Sequence, residues 1–371
     1  MQLRDFGKRS GLMVAPVSIG AMRLPDDCGD AVELLRHAID SGMRYIDTSR
    51  GYGESEFKLG RALRDGYREK VYLSTKCSPW VQKIQSGDDG SAQSVLRRIE
   101  ESLLRLDVDY LDFYQVWNIN SAEAWKTATR KGGMIDGIRK ARDLGLIRHI
   151  GFTSHEVPTN LLNYLDEADW CEVLLLSYNV LNKTYAPVLE KAHDRGIGTI
   201  VMNPVGGGKL AQDSPILGKL VDDLGLVSLP DLAVRYVLSN PHVTTILCGI
   251  STVRDVDDTI AAAERGPLAP EQLEQVDSFF AALARNQVAY CTRCGYCQPC
   301  EQGVQIPQIL DLVYEDRFLG FKEVSRKTFE SWARQSTNID ACTKCGQCEA
   351  KCTQGLKIIK ELEYALSAYG E

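Results

Sequence analysis

The chain of 371 residues has no apolar stretch long enough to cross a bilayer, and its opening MQLRDFGKRSGLMVAPV has no apolar core of the kind an export signal carries. Membrane insertion and secretion are not expected, and the sequence reads as a cytoplasmic protein. Surplus positive charge is missing too. Lys and Arg number 43 against 50 Asp and Glu, a net charge of −7, which argues against a nucleic-acid partner because phosphate backbones select a basic face. Compositional bias is also absent: 44% hydrophobic and 25% charged residues are ordinary for a globular protein, so a sizeable core can form. At this length a large domain followed by a smaller one is the natural expectation.

Cysteine, by contrast, is concentrated. Four of the twelve, Cys28, Cys77, Cys171 and Cys248, are scattered as reduced thiols would be. The other eight fall in two runs, CTRCGYCQPC from Cys291 and CTKCGQCEAKC from Cys342. Extended to CTRCGYCQPCEQGVQI and CTKCGQCEAKCTQGLKI, they are one motif written twice. Three thiolates spaced Cys-x-x-Cys-x-x-Cys wrap a short loop round one corner of a cube, each sulfur holding one iron of a [4Fe–4S] cluster, and a fourth must come from elsewhere. In two-cluster ferredoxins the fourth cysteine of each run ligates the other cluster. That rule assigns Cys291, Cys294, Cys297 and Cys352 to one cluster, and Cys342, Cys345, Cys348 and Cys300 to the other. Structural zinc is an alternative, but it usually draws on two well-separated Cys-x-x-Cys pairs, and disulfides suit small secreted chains. Glu301 and Thr353 stand where ferredoxin runs place proline, which leaves the cluster potential open.

Upstream, short apolar runs alternate with amphipathic ones. The strand candidates are VSIGAM at 17–22, YIDTS at 45–49, VYLSTKC at 71–77, YLDFYQVW at 110–117, RHIGFTSH at 148–155, CEVLLLSYN at 171–179, GTIVMNP at 198–204 and VTTILCGI at 243–250. Between them lie helical patterns with Gly or Asp-Gly stops. Eight β-then-α units over about 250 residues fit a (β/α)8 TIM barrel, with a doubly wound open sheet as the rival. The residues before the first strand read as a hairpin, with its turn at Lys8–Gly11, closing the barrel bottom. The expected organisation is α/β: a barrel over 1–265, a connecting helix over 266–290, and a small all-helical ferredoxin-like domain over 291–371. Such a short module has little core of its own and is stapled by its clusters.

In a barrel of this kind the chemistry lies at the C-terminal strand ends. The second strand ends in IDTSRGYGESE and the third in LSTK, which brings Asp47, Tyr52 and Lys76 to one edge of the mouth. Asp47 would hold Lys76, Lys76 would lower the pKa of Tyr52, and Tyr52 would protonate a carbonyl oxygen as hydride arrives. A loop tyrosine beside an ordinary ion pair is the bland alternative.

IDTSRGYGESEFKLGRAL, YLSTK, DYLDFYQVW, IGFTSHE, NPVGGGKL and LCGISTVRDVDDT, in this order, resemble the aldo-keto reductase family over about residues 1–265, in particular its subgroup with a C-terminal ferredoxin-like domain. The resemblance implies a catalytic tetrad of Asp, Tyr, Lys and His, and an extended nicotinamide cofactor across the strand ends. The tetrad histidine position holds Trp117 instead, and an indole offers one N–H and cannot accept a proton. His155, after the fifth strand, is a candidate to approach the same space. For the cofactor, the resemblance points to Thr153 and Ser154 where the family has Ser-Asn, and to Leu175 where it has glutamine. Tyr178, Asn179 and Asn203 are polar candidates near the nicotinamide, and Gly206, Gly207 and Gly208 let backbone amides approach a pyrophosphate. Gly249 and Ser251 open a helix whose N-terminus could take a phosphate. Arg254 stands beside Asp255, which occupies the place of the arginine for the NADP 2′-phosphate, and Thr259 replaces an adenine-contacting Asn. Both NADP(H) and NAD(H) remain candidates.

The expected function is an oxidoreductase interconverting a small-molecule carbonyl and alcohol, with two [4Fe–4S] clusters passing electrons to a ferredoxin or flavodoxin. A second reading makes the clusters structural. A third has a barrel with impaired nicotinamide binding serving as an electron-transfer or redox partner, or as a lyase using Lys76 and Tyr52.

Overall fold

Apolar strands buried on both faces need helices on the outside, and the structure satisfies this with a closed parallel barrel. A computed structural model describes residues 1–81, 89–286, 297–352 and 355–370. The chain divides into two compact units, one comprising Met1–Gly207 and Ala233–Leu268, the other Gly208–Leu232 and the residues from Ala269 onward.

In the first unit a short antiparallel hairpin, β1 (Arg4–Asp5) and β2 (Met13–Val14), precedes the barrel strands. These are β3 (Val17–Gly20), β4 (Tyr45–Asp47), β5 (Tyr72–Cys77), β6 (Leu111–Ile119), β7 (Ile147–Ser154), β8 (Val173–Ser177), β9 (Gly198–Met202) and β10 (Thr245–Gly249). They pair in sequence order and close through β10 against β3. Each of the eight sequence candidates overlaps one barrel strand; six contain it whole, while β6 runs two residues past its candidate and β7 begins one residue before its own. The connecting helices are α1 (Cys28–Asp40), α2 (Ser55–Ala62), α3 (Ala92–Leu106), α4 (Ala122–Thr129), α5 (Met134–Asp143), α6 (Pro158–Glu167), α7 (Ala186–Asp194), α8 (Pro215–Asp223), α9 (Leu229–Leu238) and α10 (Val253–Glu264). Side chains start several of them: Asp27 accepts from the amides of Gly29 and Asp30, Ser91 from Ser94, and Ser121 from Ala124.

The hairpin lies where the sequence places it, and its purpose is steric. Phe6 enters the barrel and packs on Tyr45 and Phe113, each with ring centroids 5.2 Å away, within a core that includes Val173, Leu175 and Ile200. Two glycines permit this approach. Gly7 has φ +84°, and a Cβ there would lie 2.4 Å from the amide nitrogen of Gly198. A Cβ on Gly198 would lie 2.6 Å from the Phe6 carbonyl oxygen.

The second unit contains α8, part of α9, and α11 (Pro270–Asn286), α12 (Ile306–Leu319), α13 (Lys322–Thr328), α14 (Arg334–Thr337), α15 (Gln347–Ala350) and α16 (Ile358–Tyr369). The pattern over 322–335 reads as one helix, but a π-helical segment, Phe329–Ala333, interrupts it. The wider turn carries both Phe329 and Ala333 into the core, where each is fully buried. That core corrects the expectation of a module with little apolar packing. Ile309, Val313, Phe329, Ile339, Leu362 and Ala365 form its centre, and five of the motif cysteines pack against its margin. Asp316 on α12 accepts from the hydroxyls of Tyr364 and Tyr369 on α16, at 2.6 and 2.9 Å. Residues 208–232 belong with these helices: Lys209 pairs with Glu315, and the Ser214 hydroxyl donates to the Leu319 carbonyl at 2.5 Å. No described helix is long and apolar enough to cross a membrane.

Replacing the Phe6 plug with alanine leaves a cavity in the barrel bottom. Phe6→Ala should destabilise the barrel by about 3–5 kcal/mol in chemical denaturation, and a loss under about 1 kcal/mol would contradict the closing role.

Candidate active site and metal centre

Asp47 is the last residue of β4, and Lys76 lies near the end of the adjacent β5, whose register pairs Asp47 with Ser74. Both charged side chains are buried, Asp47 at 3% and Lys76 at 1% exposure. An unpaired charge there would cost several kcal/mol, and the structure pairs the two directly. The remaining valences are also filled. The Lys76 ammonium donates to the Thr48 carbonyl at 2.9 Å, while Ser74 and Gln115 donate to the Asp47 carboxylate at 3.3 and 3.0 Å.

The β4–α2 loop carries Tyr52 over this pair, with its ring centroid 4.8 Å from the Lys76 nitrogen. The loop is tied to β5, since Ser49 donates to the Lys76 carbonyl through its hydroxyl and Arg50 through its amide. Burial raises the pKa of Tyr52, and Lys76 lowers it only in part, so the net direction is upward. This reverses the sequence expectation of a lowered phenol, because the sequence places the charge but not the depth of burial. Burial also raises Asp47 against the opposing pull of Lys76, whereas burial of Lys76 is outweighed by Asp47 and Tyr52. Tyr52 and Lys76 are therefore held in their protonated forms, Lys76 as an ammonium paired with the Asp47 carboxylate.

Trp117 meets Tyr52 edge-on, with centroids 5.4 Å apart. Trp80, just past β5, fastens this wall by donating its indole N–H to the carbonyls of Trp117 and Asn118 at 3.1 and 2.7 Å. Asn118, at φ +57°, donates its amide to the Thr153 hydroxyl at 2.7 Å, and Ser154 donates to the Ile119 carbonyl. Thr153 and Ser154 are thus buried and join β6 to β7. His155 stands exposed at the rim, and surrounding protein lowers its pKa. No described hydrogen bond or ring contact joins it to Tyr52, Lys76 or Trp117.

Across the mouth, Tyr178 is buried and stacks near Tyr236, with centroids 6.3 Å apart. Asn203 is exposed at φ +57°; its carbonyl accepts from Asn179 at 2.9 Å, and its side-chain amide lies 3.5 Å from the Ser177 hydroxyl. Leu175 points into the barrel core, not to the rim. Gly206, Gly207 and Gly208 all have positive φ, and a Cβ on Gly207 would meet open space. Gly249, the last residue of β10, and Ser251 just past it are exposed, but the donors at the start of α10 have a partner. The Asp255 carboxylate accepts from the Ser251 amide, the Ser251 hydroxyl and the Thr252 amide at 2.9, 3.0 and 2.8 Å. An incoming phosphate would have to displace that anion. Arg254 points outward and pairs with Asp258 at 3.4 Å.

In the helical unit, Cys300, Cys342, Cys345 and Cys348 line one cavity together with Cys297, Lys344 and Lys351. This donor set fits a [4Fe–4S] cluster, which takes four thiolates: five cysteines line the cavity, and two of them, Cys297 and Cys300, come from the first run. Cys352 packs on the neighbouring core and does not line the cavity. Cys291 and Cys294 lie outside the described residues.

Two residues escaped the sequence reading. Gln115 is a polar residue in the middle of the apolar strand LDFYQVW, and Trp80 follows a strand end, so each left a signal.

An aldo/keto reductase family profile matches residues 16–281, and a 4Fe-4S dicluster domain profile matches residues 287–356. L-galactose dehydrogenase of Arabidopsis thaliana is 30% identical over 290 residues, spanning 71% of this chain and 88% of the relative. L-glyceraldehyde 3-phosphate reductase of Escherichia coli K12 is 25% identical over 333 residues, spanning 76% and 93%. Among solved structures, the holo form of aldo-keto reductase AKR11C1 from Bacillus halodurans shares the fold, with TM-score 0.65 and 24% identity over 75% of this chain and 96% of that one.

The buried pair makes a stability prediction. Lys76→Met strands the Asp47 carboxylate and should cost about 3–5 kcal/mol in urea denaturation, while adding Asp47→Asn should recover more than half. A single-variant loss below about 1 kcal/mol would contradict the mutual dependence.

Proposed function

Because the chain belongs to the aldo/keto reductase family and carries a 4Fe-4S dicluster domain, we propose that this oxidoreductase interconverts a carbonyl and an alcohol at Tyr52. The observation that carries the reading is the Tyr52 ring above the buried Lys76–Asp47 pair. A bound nicotinamide supplies or accepts a hydride, and the clusters exchange single electrons.

The chain's own residues do the rest. Tyr52, kept protonated by burial, gives its proton to the substrate oxygen in reduction and takes it back in oxidation. Lys76 stabilises the phenolate left behind, and Asp47 keeps Lys76 charged and in place. Trp117 is an apolar wall beside the reacting oxygen, so the orienting role of an imidazole passes elsewhere, with His155 at the rim as the candidate. Tyr178, Asn203 and the backbone of Gly206–Gly208 are the groups we assign to holding the nicotinamide and its pyrophosphate, with Thr153 and Ser154 setting the mouth's shape. Gly249, Ser251 and Arg254 are assigned to its far end, against the constraint of Asp255. Relatives named as a dehydrogenase and a reductase bracket the two directions.

We assign Cys342, Cys345, Cys348 and Cys300 to one cluster, and Cys291, Cys294, Cys297 and Cys352 to the other. Hydride transfer moves two electrons together while each cluster carries one, which points to a one-electron partner such as a ferredoxin or flavodoxin. One observation favours a second reading. Asp255 already fills the donors at the start of α10, as expected of a barrel with weakened nucleotide binding that serves as a redox partner.

Tyr52→Phe should abolish carbonyl reduction while leaving the circular dichroism spectrum and iron content unchanged, and retained turnover would refute the assigned acid. Since burial holds the phenol above its ordinary value of about 10, wild-type reduction should be flat between about pH 6 and 9, falling only as pH rises through the raised pKa. A basic limb inside that window would contradict the assignment. Cys345→Ala should lower iron from about eight atoms per chain to about four by analysis, and unchanged iron would defeat the ligand set.

A further inference from the structure

A second buried ion pair runs beside the first. Glu56, the second residue of α2, is fully buried. One of its carboxylate oxygens accepts from the Thr75 hydroxyl at 2.8 Å, and the other accepts from Arg105 Nε at 2.8 Å. Arg105, in the last turn of α3, also donates through Nη2 to the Gly53 carbonyl at 2.7 Å and lies 3.9 Å over the Phe57 ring. Gly53 follows Tyr52, and Thr75 precedes Lys76. A closed circuit therefore runs from Tyr52 through Gly53, Arg105, Glu56 and Thr75 to Lys76. Glu101, one turn before Arg105, adds a contact with Arg50 at 3.7 Å. Gly60 lets the two helices approach: a Cβ there would lie 2.6 Å from the Leu106 carbonyl oxygen.

We propose that Arg105 is a positioning residue that fixes the Tyr52 hydroxyl relative to the Lys76 ammonium by gripping the backbone beside one and, through Glu56, the strand beside the other. The proposal rests on the reading of Tyr52 as proton donor. Arginine suits the task because its planar fork serves two acceptors at once, which a lysine ammonium on a flexible stem does not reproduce. Charge-assisted hydrogen bonds in a buried setting are stiff, and a displacement of about 1 Å in such a pair of groups costs about 100-fold in rate.

The test uses full-length, cluster-loaded protein with 4-nitrobenzaldehyde as probe and NADPH or NADH. It compares wild type, Arg105→Ala, Arg105→Lys, Tyr52→Phe and, as a surface control, Arg64→Ala. Arg105→Ala should lose about 100-fold in kcat with KM nearly unchanged, regain part of it with millimolar guanidinium, and show faster amide hydrogen exchange confined to residues 48–55. Arg105→Lys should remain slow, and Arg64→Ala should match wild type. Unchanged exchange at 48–55 in Arg105→Ala overturns the proposal whatever the activities. So does a loss of protection throughout the barrel, or a kcat equal to wild type when Tyr52→Phe is inactive. If Tyr52→Phe stays active, the reading of Tyr52 fails by itself, and the exchange result alone decides whether Arg105 holds the loop.

Discussion

The barrel is organised around one buried ammonium. Lys76 can be charged inside the protein only because Asp47 neutralises it and because Thr48, Ser74 and Gln115 fill the remaining hydrogen-bond positions. These groups come from three neighbouring strands, Asp47 and Thr48 from the end of β4, Ser74 from β5 and Gln115 from β6, so strand register becomes a condition for charge survival. The loop bearing Tyr52 is then drawn onto the pair through the Lys76 carbonyl. Burial and charge act in opposition on the phenol, and burial prevails. The consequence is a phenol that stays protonated, as the role proposed for Tyr52 requires.

Much of this was legible in the sequence, for physical reasons. Parallel strands buried on both faces read as apolar runs, so the barrel strands could be placed within a few residues. A hairpin ahead of the first strand was legible as well, but not that Phe6 is the side chain that enters the core. The π-helical turn at Phe329–Ala333 was not legible, because helical periodicity does not mark a single wider turn. Nor was the direction of the Tyr52 shift, which depends on burial contributed by residues distant in sequence. Glu56 and Arg105 lie 49 residues apart, and their pairing needs α2 and α3 to touch at Gly60. Thr153 and Ser154 are polar residues at a strand end, yet their hydroxyls serve the joint between β6 and β7.

The cysteine runs were the most legible feature, since ligand spacing is dictated by cluster geometry. In the structure Cys300 of the first run lines the same cavity as Cys342, Cys345 and Cys348, the grouping the ferredoxin rule suggests, and Cys297 lines it as well. The apolar core beside that cavity also shows that the helical unit has packing of its own besides its ligands. Residues 208–232, which follow the Gly206–Gly208 turn, belong to this same compact unit. The pairing of Lys209 with Glu315 ties that segment to α12.

The most direct test is an anaerobic titration of the cluster-loaded protein with NADPH and with NADH, following nicotinamide fluorescence and cluster absorbance together. The account predicts that at least one nucleotide binds stoichiometrically and that the cluster absorbance bleaches as electrons pass on. If neither nucleotide binds, the carboxylate of Asp255 has closed the cofactor's end of the barrel, and the hydride chemistry assigned to Tyr52 is contradicted.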